Sequence, residues 1–222
     1  LLIRALARAL VAADAHPSAA WLDAQLPPFL RAPPSTFGTG AAAAATAVPW
    51  HYMRAGACLA LGLRLAGSAD AHARALLLAE LDTALAVDDD DAPASYAASI
   101  LAAARTALRN AVHLALAAIM SGTGDVDVLR LLRVAHGHVS RRVSYGTHMA
   151  THMALGMLFL GGGRFALGTS DSALAALLIA LVPPYAADPT DNAAHLQATR
   201  HLWALALEPR LIVARDVASG AV

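Results

Sequence analysis

The chain has 222 residues, enough for one large or two small domains. Its hydrophobic content of 58% exceeds the roughly 45 to 50% of ordinary globular proteins, so a large core is expected. Lys+Arg and Asp+Glu balance at 16 each, which leaves no net field to draw in nucleic acid or an anionic membrane surface. Leu and Ala recur at helical spacing and strict two-residue alternation is nearly absent, so the expected class is all-α. In chain order the expected helices are Leu1 to Asp14, Tyr52 to Ala66, Ala71 to Ala86, Ala94 to Met120, Val126 to Ala135, Tyr145 to Leu160, Ser172 to Leu181 and Asn192 to Leu207. Two segments break the pattern and read as solvated insertions. One is 25–49, with Pro27, Pro28, Pro33, Pro34, Pro49 and an alanine tract, and the other is the acidic loop 87–93 with Asp88 to Asp91.

The opening LLIRALARALVAADA has no methionine and no small-residue cleavage site, so it reads as part of a longer chain and not as a signal peptide. Cys58 is the lone cysteine, which excludes an internal disulfide and points to a reducing compartment, cytosol or nucleus. Val143 to Gly163 carries no Lys, Arg, Asp or Glu and has about the 20 residues of a membrane span. Its first half holds Ser144, Tyr145, Thr147, His148, Thr151 and His152, which suits a buried soluble helix better.

A repeat organises the chain. Leu59-Ala60-Leu61-Gly62-Leu63 is echoed at Leu114 to Ala118, at Met153-Ala154-Leu155-Gly156-Met157 and at Trp203 to Leu207. After the first three copies comes G-[S/T]-x-D: Gly67 to Asp70, Gly122 to Asp125 and Gly168 to Asp171. Beyond each Asp stands an apolar pair, Leu76-Leu77, Leu131-Leu132 and Leu177-Leu178. Large-small alternation places Ala or Gly where a neighbouring helix crosses closely. The turn glycines Gly67, Gly122 and Gly168 are expected to close a first helix in the left-handed region, and Asp70, Asp125 and Asp171 to cap the second. Each copy is therefore a helical hairpin, and the stack is a solenoid. Gly161 to Gly163 end a helix where phosphate loops open one, and no G-K-[S/T] follows, so they read as part of an insertion, GGGRFAL, that presents Arg164 and Phe165 on a rim.

Chemistry-bearing constellations are sparse. His148 and His152 stand at the four-residue spacing that lets two imidazoles share a zinc ion, but H-M-A-T-H lacks the glutamate that would activate water. The expected role of these histidines, and of His136, His138, His195 and His201, is packing or hydrogen bonding between helix layers, with Asp191 and Arg200 as local partners on the last helix. Cys58 lies inside a repeat helix as a small buried group, and the Asp run lacks the spaced ligands of a calcium loop. No catalytic, cofactor or metal residue is assigned.

LALGLRLAGS and MALGMLFLGGGRFALGTSDSALAALLIAL resemble proteasome/cyclosome (PC) repeats, found in two large proteasome regulatory-particle subunits and in the largest subunit of the anaphase-promoting complex. Thr151 to Asp216 is similar to the latter family nearly throughout, including TDNAAHLQATRHL and ALEPRL, and a fainter likeness reaches His16-Pro17 and Trp21-Leu22. The resemblance implies a helical-hairpin solenoid over 1–209, part of an α-α toroid, with Pro209 stopping the last helix and 210–222 opening an extended segment. It further implies a non-catalytic scaffold of a cullin-RING ubiquitin ligase in nucleus and cytoplasm, contacting the cullin/RING module, a DOC-domain subunit, TPR subunits and coactivator, with no cofactor, nucleic acid or membrane. Expected contact residues, on exposure grounds, are Arg164, Phe165, Tyr185, Arg200 and Arg210. The rivals are a PC-repeat scaffold of the proteasome regulatory particle and a helical metal-dependent hydrolase using His148 and His152. A partial toroid would expose apolar helix faces, so an isolated segment is expected to be poorly soluble.

Overall fold

The computed structural model describes residues 1–11, 17–32, 41–85, 95–139, 143–182, 185, 186, 188, 190–210 and 216–219. They form eight α-helices: α1 (Leu2–Val11), α2 (Ala19–Ala24), α3 (Ala41–Arg64), α4 (Ala71–Leu85), α5 (Tyr96–Ile119), α6 (Val126–Gly137), α7 (Tyr145–Leu158) and α8 (Asp171–Leu181). A final helix, Asn192–Ala206, is 3₁₀, and shorter 3₁₀ turns span Pro28–Leu30 and Leu160–Gly163. Two short strands, β1 (Phe165–Leu167) and β2 (Leu207–Pro209), pair antiparallel with Phe165 opposite Pro209 and Leu167 opposite Leu207.

Helices α1, α3, α5 and α7 pack successively into one row, while α4 lies against α5, α6 against α7 and α8 against the final 3₁₀ helix. The row is the core. Leu59 to Leu61, Leu63 and Leu114 to Ile119 are each 0% exposed, because both sides of α3 and α5 meet a neighbour. Small residues set the spacing. A Cβ on Gly62 would collide with Ala115 Cα, and one on Gly56 with the Leu2 carbonyl, so α3 lies nearly in backbone contact with α5 on one side and α1 on the other.

Helix α3 begins at Ala41, so the alanine tract is helical and Pro49 lies inside the helix, consistent with alanine's strong helix preference. The preceding stretch is only partly solvated, since Leu26 and Leu30 are 0% and 2% exposed. Helix α2 was not predicted; Ser18 caps it by accepting from the Trp21 N–H. The acidic loop 87–93 lies outside the described residues, as does the segment Leu211 to Val213. Gly156 does not host a close crossing: it is exposed, and a Cβ there would have nothing within 4 Å. The reason is local. The final helix packs on α8 and leaves a cavity of about 140 Å³ between Met153, Gly156, Met157, Leu160 and Trp203.

Two histidines do lie between layers. His51 Nδ1 is 2.7 Å from the Ala47 carbonyl, and His113, 1% exposed, sits in the C-terminal half of α5. Burial, with Arg109 adding to it, pushes His113 down to about 3. A histidine depressed in the fold is neutral there and takes up a proton near pH 6.5 only once unfolded, so its burial favours the fold above that pH. Stability is therefore expected to fall as the pH drops from about 6.5 toward 3. The opening free energy of α5, from hydrogen exchange corrected for intrinsic rates in the full-length protein, should be lower at pH 5 than at pH 7.5, and His113→Leu should flatten that slope. An unchanged slope would remove His113 as the source.

Candidate interaction surface at the hairpin joints

The G-[S/T]-x-D motif makes the joints between units. In the first two copies the glycine is left-handed, Gly67 at φ 69° and Gly122 at φ 70°. The Ser or Thr hydroxyl donates back to the carbonyl of the residue just past the preceding helix, Ser68 to Leu65 at 2.7 Å and Thr123 to Met120 at 2.7 Å. The same oxygen accepts from the Asp N–H, at 3.3 Å for Asp70 and 3.1 Å for Asp125. Asp70 then accepts from the Ala73 N–H at 2.8 Å, and Asp125 from Val128 at 3.0 Å, capping α4 and α6. Successive joints are tied together by Arg74, whose Nη1 donates to Asp125 at 2.6 Å.

Each turn also reaches forward into the next unit through the main chain. The Gly67 N–H donates to the Ala118 carbonyl at 2.8 Å, Gly122 to Met157 at 3.0 Å and Gly168 to Ala206 at 2.8 Å. One residue pair further on, Ala69 bonds Ile119 and Gly124 bonds Leu158. The carbonyls left unpaired at the end of one helix thereby receive their donors from the preceding hairpin's turn.

The third copy departs from this scheme. Gly168 is not left-handed; its α-position is hemmed in by the Glu208 side chain across the strand pair. The cap of α8 is Ser170, which accepts from the Ala173 N–H at 3.3 Å, and Asp171 is the first helical residue. The buried leucine moves with the cap. Leu77, Leu132 and Leu177 are each 0% exposed and stand at equal distance from Asp70, Asp125 and Ser170. The three glycines before this turn take φ 55°, 61° and 85°, a left-handed run that only glycine tolerates. It swings the chain so that β1 crosses the two earlier turns: a Cβ on Gly67 would strike the Leu167 carbonyl, and one on Gly122 the Phe165 carbonyl. The Leu167 N–H donates to Ser121 Oγ at 3.1 Å.

The expected contact residues fall into two groups. Arg164, Phe165 and Arg210 share one corner, where the Arg210 N–H donates to the Arg164 carbonyl at 2.8 Å and Arg210 Nη2 to the Gly67 carbonyl at 3.4 Å. Arg164 is exposed and Phe165 is 37% exposed. Arg200 and Tyr185 are not on a rim. Arg200 is 6% exposed, donates to the Ala180 carbonyl at 2.8 Å and to the Val182 carbonyl, and lies 4.3 Å over the Tyr185 ring. Burial raises the Tyr185 hydroxyl to about 12 despite that guanidinium. Arg200 satisfies these carbonyls at the C-terminal end of α8, with the Tyr185 ring stacked on its guanidinium, a fastening that sequence spacing does not reveal. Pro209 does not stop a helix: the 3₁₀ helix ends at Ala206, Leu207 is extended, and Pro209 belongs to β2.

The histidine readings are also redistributed. The rings of His136 and His152 lie 4.8 Å apart and those of His148 and His152 6.1 Å apart, at the surface rather than between layers. Among the described residues no group of three or more His, Cys, Asp and Glu is arranged to hold a metal ion. Burial pushes the Cys58 thiol far up, as expected of an inert core cysteine. No helix among the described residues is long and apolar enough to cross a membrane.

The comparisons with known proteins coincide with this array. A family model described as the APC1 fifth domain matches residues 1–208. The chain belongs to this family. A protein named "Negative regulator of mitosis" from Emericella nidulans is 48% identical over 172 residues, 78% of this chain. Proteins named "Anaphase-promoting complex subunit 1" are 41% identical in Mus musculus and 40% in Homo sapiens, each over 98% of this chain. The chain spans 8% of the first and 11% of the other two relatives' own lengths. The match ends two residues short of Arg210, so it takes in the whole hairpin array and nearly all of β2.

Proposed function

We propose that the chain is a non-catalytic scaffold segment of the anaphase-promoting complex, a cullin-RING ubiquitin ligase that controls mitotic progression. The likeness to the mouse and human subunits over 98% of the chain carries this reading. The joints support it in physical terms. Main-chain hydrogen bonds between successive hairpins hold the units at a set spacing, which is what a platform needs to keep separate modules in register. Its partners are the cullin/RING module, the DOC-domain subunit, TPR subunits and coactivator, and ubiquitin transfer belongs to other chains. It works in nucleus and cytoplasm. The corner of exposed Arg164 and Phe165 beside half-buried Arg210 is its first contact surface.

The test is to tag the full-length protein in its own cells, purify it under mild salt and identify the co-purifying chains and cross-links by mass spectrometry. Recovery of a cullin, a RING subunit and TPR subunits, with cross-links inside residues 1–222, is the expected result. Recovery of proteasomal ATPases, or of no partners, would overturn it.

A further inference from the structure

A groove of about 410 Å³ opens between α5, α6 and the start of α7, away from the joints. It is within the size range of ligand sites. Among the described residues, Arg109 and His113 of α5, Arg130 and Val134 of α6, His138 and Thr147 line it, and no carboxylate does. Most of its exposed lining is nonetheless apolar, with Leu131 and Val143 beside Val134.

His113 on the floor is 1% exposed, and its Nδ1 has no hydrogen-bond partner among the described residues. One turn earlier in α5, behind the lining, Asn110 Oδ1 is likewise unmatched. Asn110 Nδ2 reaches Thr147 Oγ1 at 3.5 Å. Buried polar atoms are paired in more than about nine cases in ten, so an orphan facing a cavity calls for a ligand atom. Neutral His113 can carry its proton on Nδ1 and donate there. At the mouth, Arg130 is held only loosely, 3.7 Å from Asp127 Oδ1, with both side chains more than half exposed. An exposed pair of this kind is worth at most about 1 kcal/mol and yields readily to a stronger anion.

We propose that this groove binds a phosphorylated serine or threonine on an extended segment of a partner protein. The Arg130 and Arg109 guanidiniums and the His113 Nδ1–H take the phosphate oxygens, and the wall of Leu131, Val134 and Val143 takes a neighbouring apolar side chain. A phosphate fits this donor set better than a carboxylate because it brings about −1.5 to −2 charges and three acceptor oxygens. The cations converge on one concavity instead of forming a stripe, which disfavours a nucleic-acid backbone.

The test passes the full-length protein over beads carrying degenerate nonapeptides with a central phosphoserine, serine or glutamate. Retention on phosphoserine is expected to exceed that on serine at least about tenfold, equivalent to 1.4 kcal/mol. Free phenyl phosphate should displace it. Arg130→Ala, an exposed change that leaves the core intact, should lower retention about tenfold, as should His113→Leu, whereas Arg133→Ala on the outer face of α6 should not. Equal retention on serine and phosphoserine would overturn the proposal. So would equal retention on glutamate, or phosphoserine binding that survives both Arg130→Ala and His113→Leu.

Discussion

Replacing Arg54 with alanine is expected to loosen α2, α3 and α4 together, at a cost of about 3–5 kcal/mol. The Arg54 side chain is 5% exposed and forks onto both oxygens of Glu80 in α4, with Nε–Oε2 at 2.8 Å, while its third nitrogen meets Asp23 of α2 at 2.6 Å. Burial opposes the charge, yet the Glu80 hydrogen bonds and the neighbouring acids hold the guanidinium above its ordinary value. Truncation would strand Glu80, only 9% exposed, as an uncompensated buried carboxylate. Hydrogen exchange of the full-length protein is the measurement: protection of α2 to α4 peptides should fall by about two to three and a half decades. Arg54→Lys should recover only part of it, because an ammonium cannot fork onto two carboxylate oxygens and reach a third partner. Replacing Arg54 and Glu80 together with methionine should cost far less than Arg54→Ala. Unchanged protection in Arg54→Ala would show that the ion pair does not bind the layers.

The same substitution at two equivalent repeat positions is expected to have opposite signs. Gly62→Ala drives a methyl group into the Ala115 backbone, where helices α3 and α5 touch, and overpacking of that kind costs about 1–3 kcal/mol. Gly156→Ala meets nothing within 4 Å, so only the backbone preference remains, a gain of about 0.5–1 kcal/mol. Exchange of α3 and α7 peptides in the two variants reads both effects. Stabilisation by Gly62→Ala would mean that α3 and α5 stand further apart than the structure has them, and loss of α7 protection in Gly156→Ala would mean that a further helix covers that face in the full-length protein.

Much of this was legible in the residues because the repeat signals are local. The hairpin units, the left-handed turns at Gly67 and Gly122 and the caps at Asp70 and Asp125 follow from which residues tolerate positive φ and which accept from a free helix N–H. Where two neighbouring residues could both cap, as at Ser170 and Asp171, pattern alone picked the wrong one, and the buried Leu177 shows the register that packing chose. Long-range features left no periodic trace. The Arg54, Glu80 and Asp23 network joins three helices, the Arg200 clamp spans α8 and the final helix, and β1 pairs with a strand that begins forty residues after it ends. Exposure of Tyr185 and Arg200 was misjudged for the same reason, since long side chains reveal their partners only once the chain is folded. The groove beneath Arg130 draws on three helices and had no sequence motif to announce it.

The bonds from each turn glycine to the end of the next helix have one more consequence. They run from amide to carbonyl, so the pitch of the stack is written in the main chain and is indifferent to the side chains that decorate it. Outer faces can then be rewritten for new neighbours without altering the step from unit to unit. A change at a turn glycine acts oppositely: it leaves every outward surface intact yet shifts where all later units stand, so a small angular error at Gly67 would be carried as a lengthening lever arm to whatever docks at the far end.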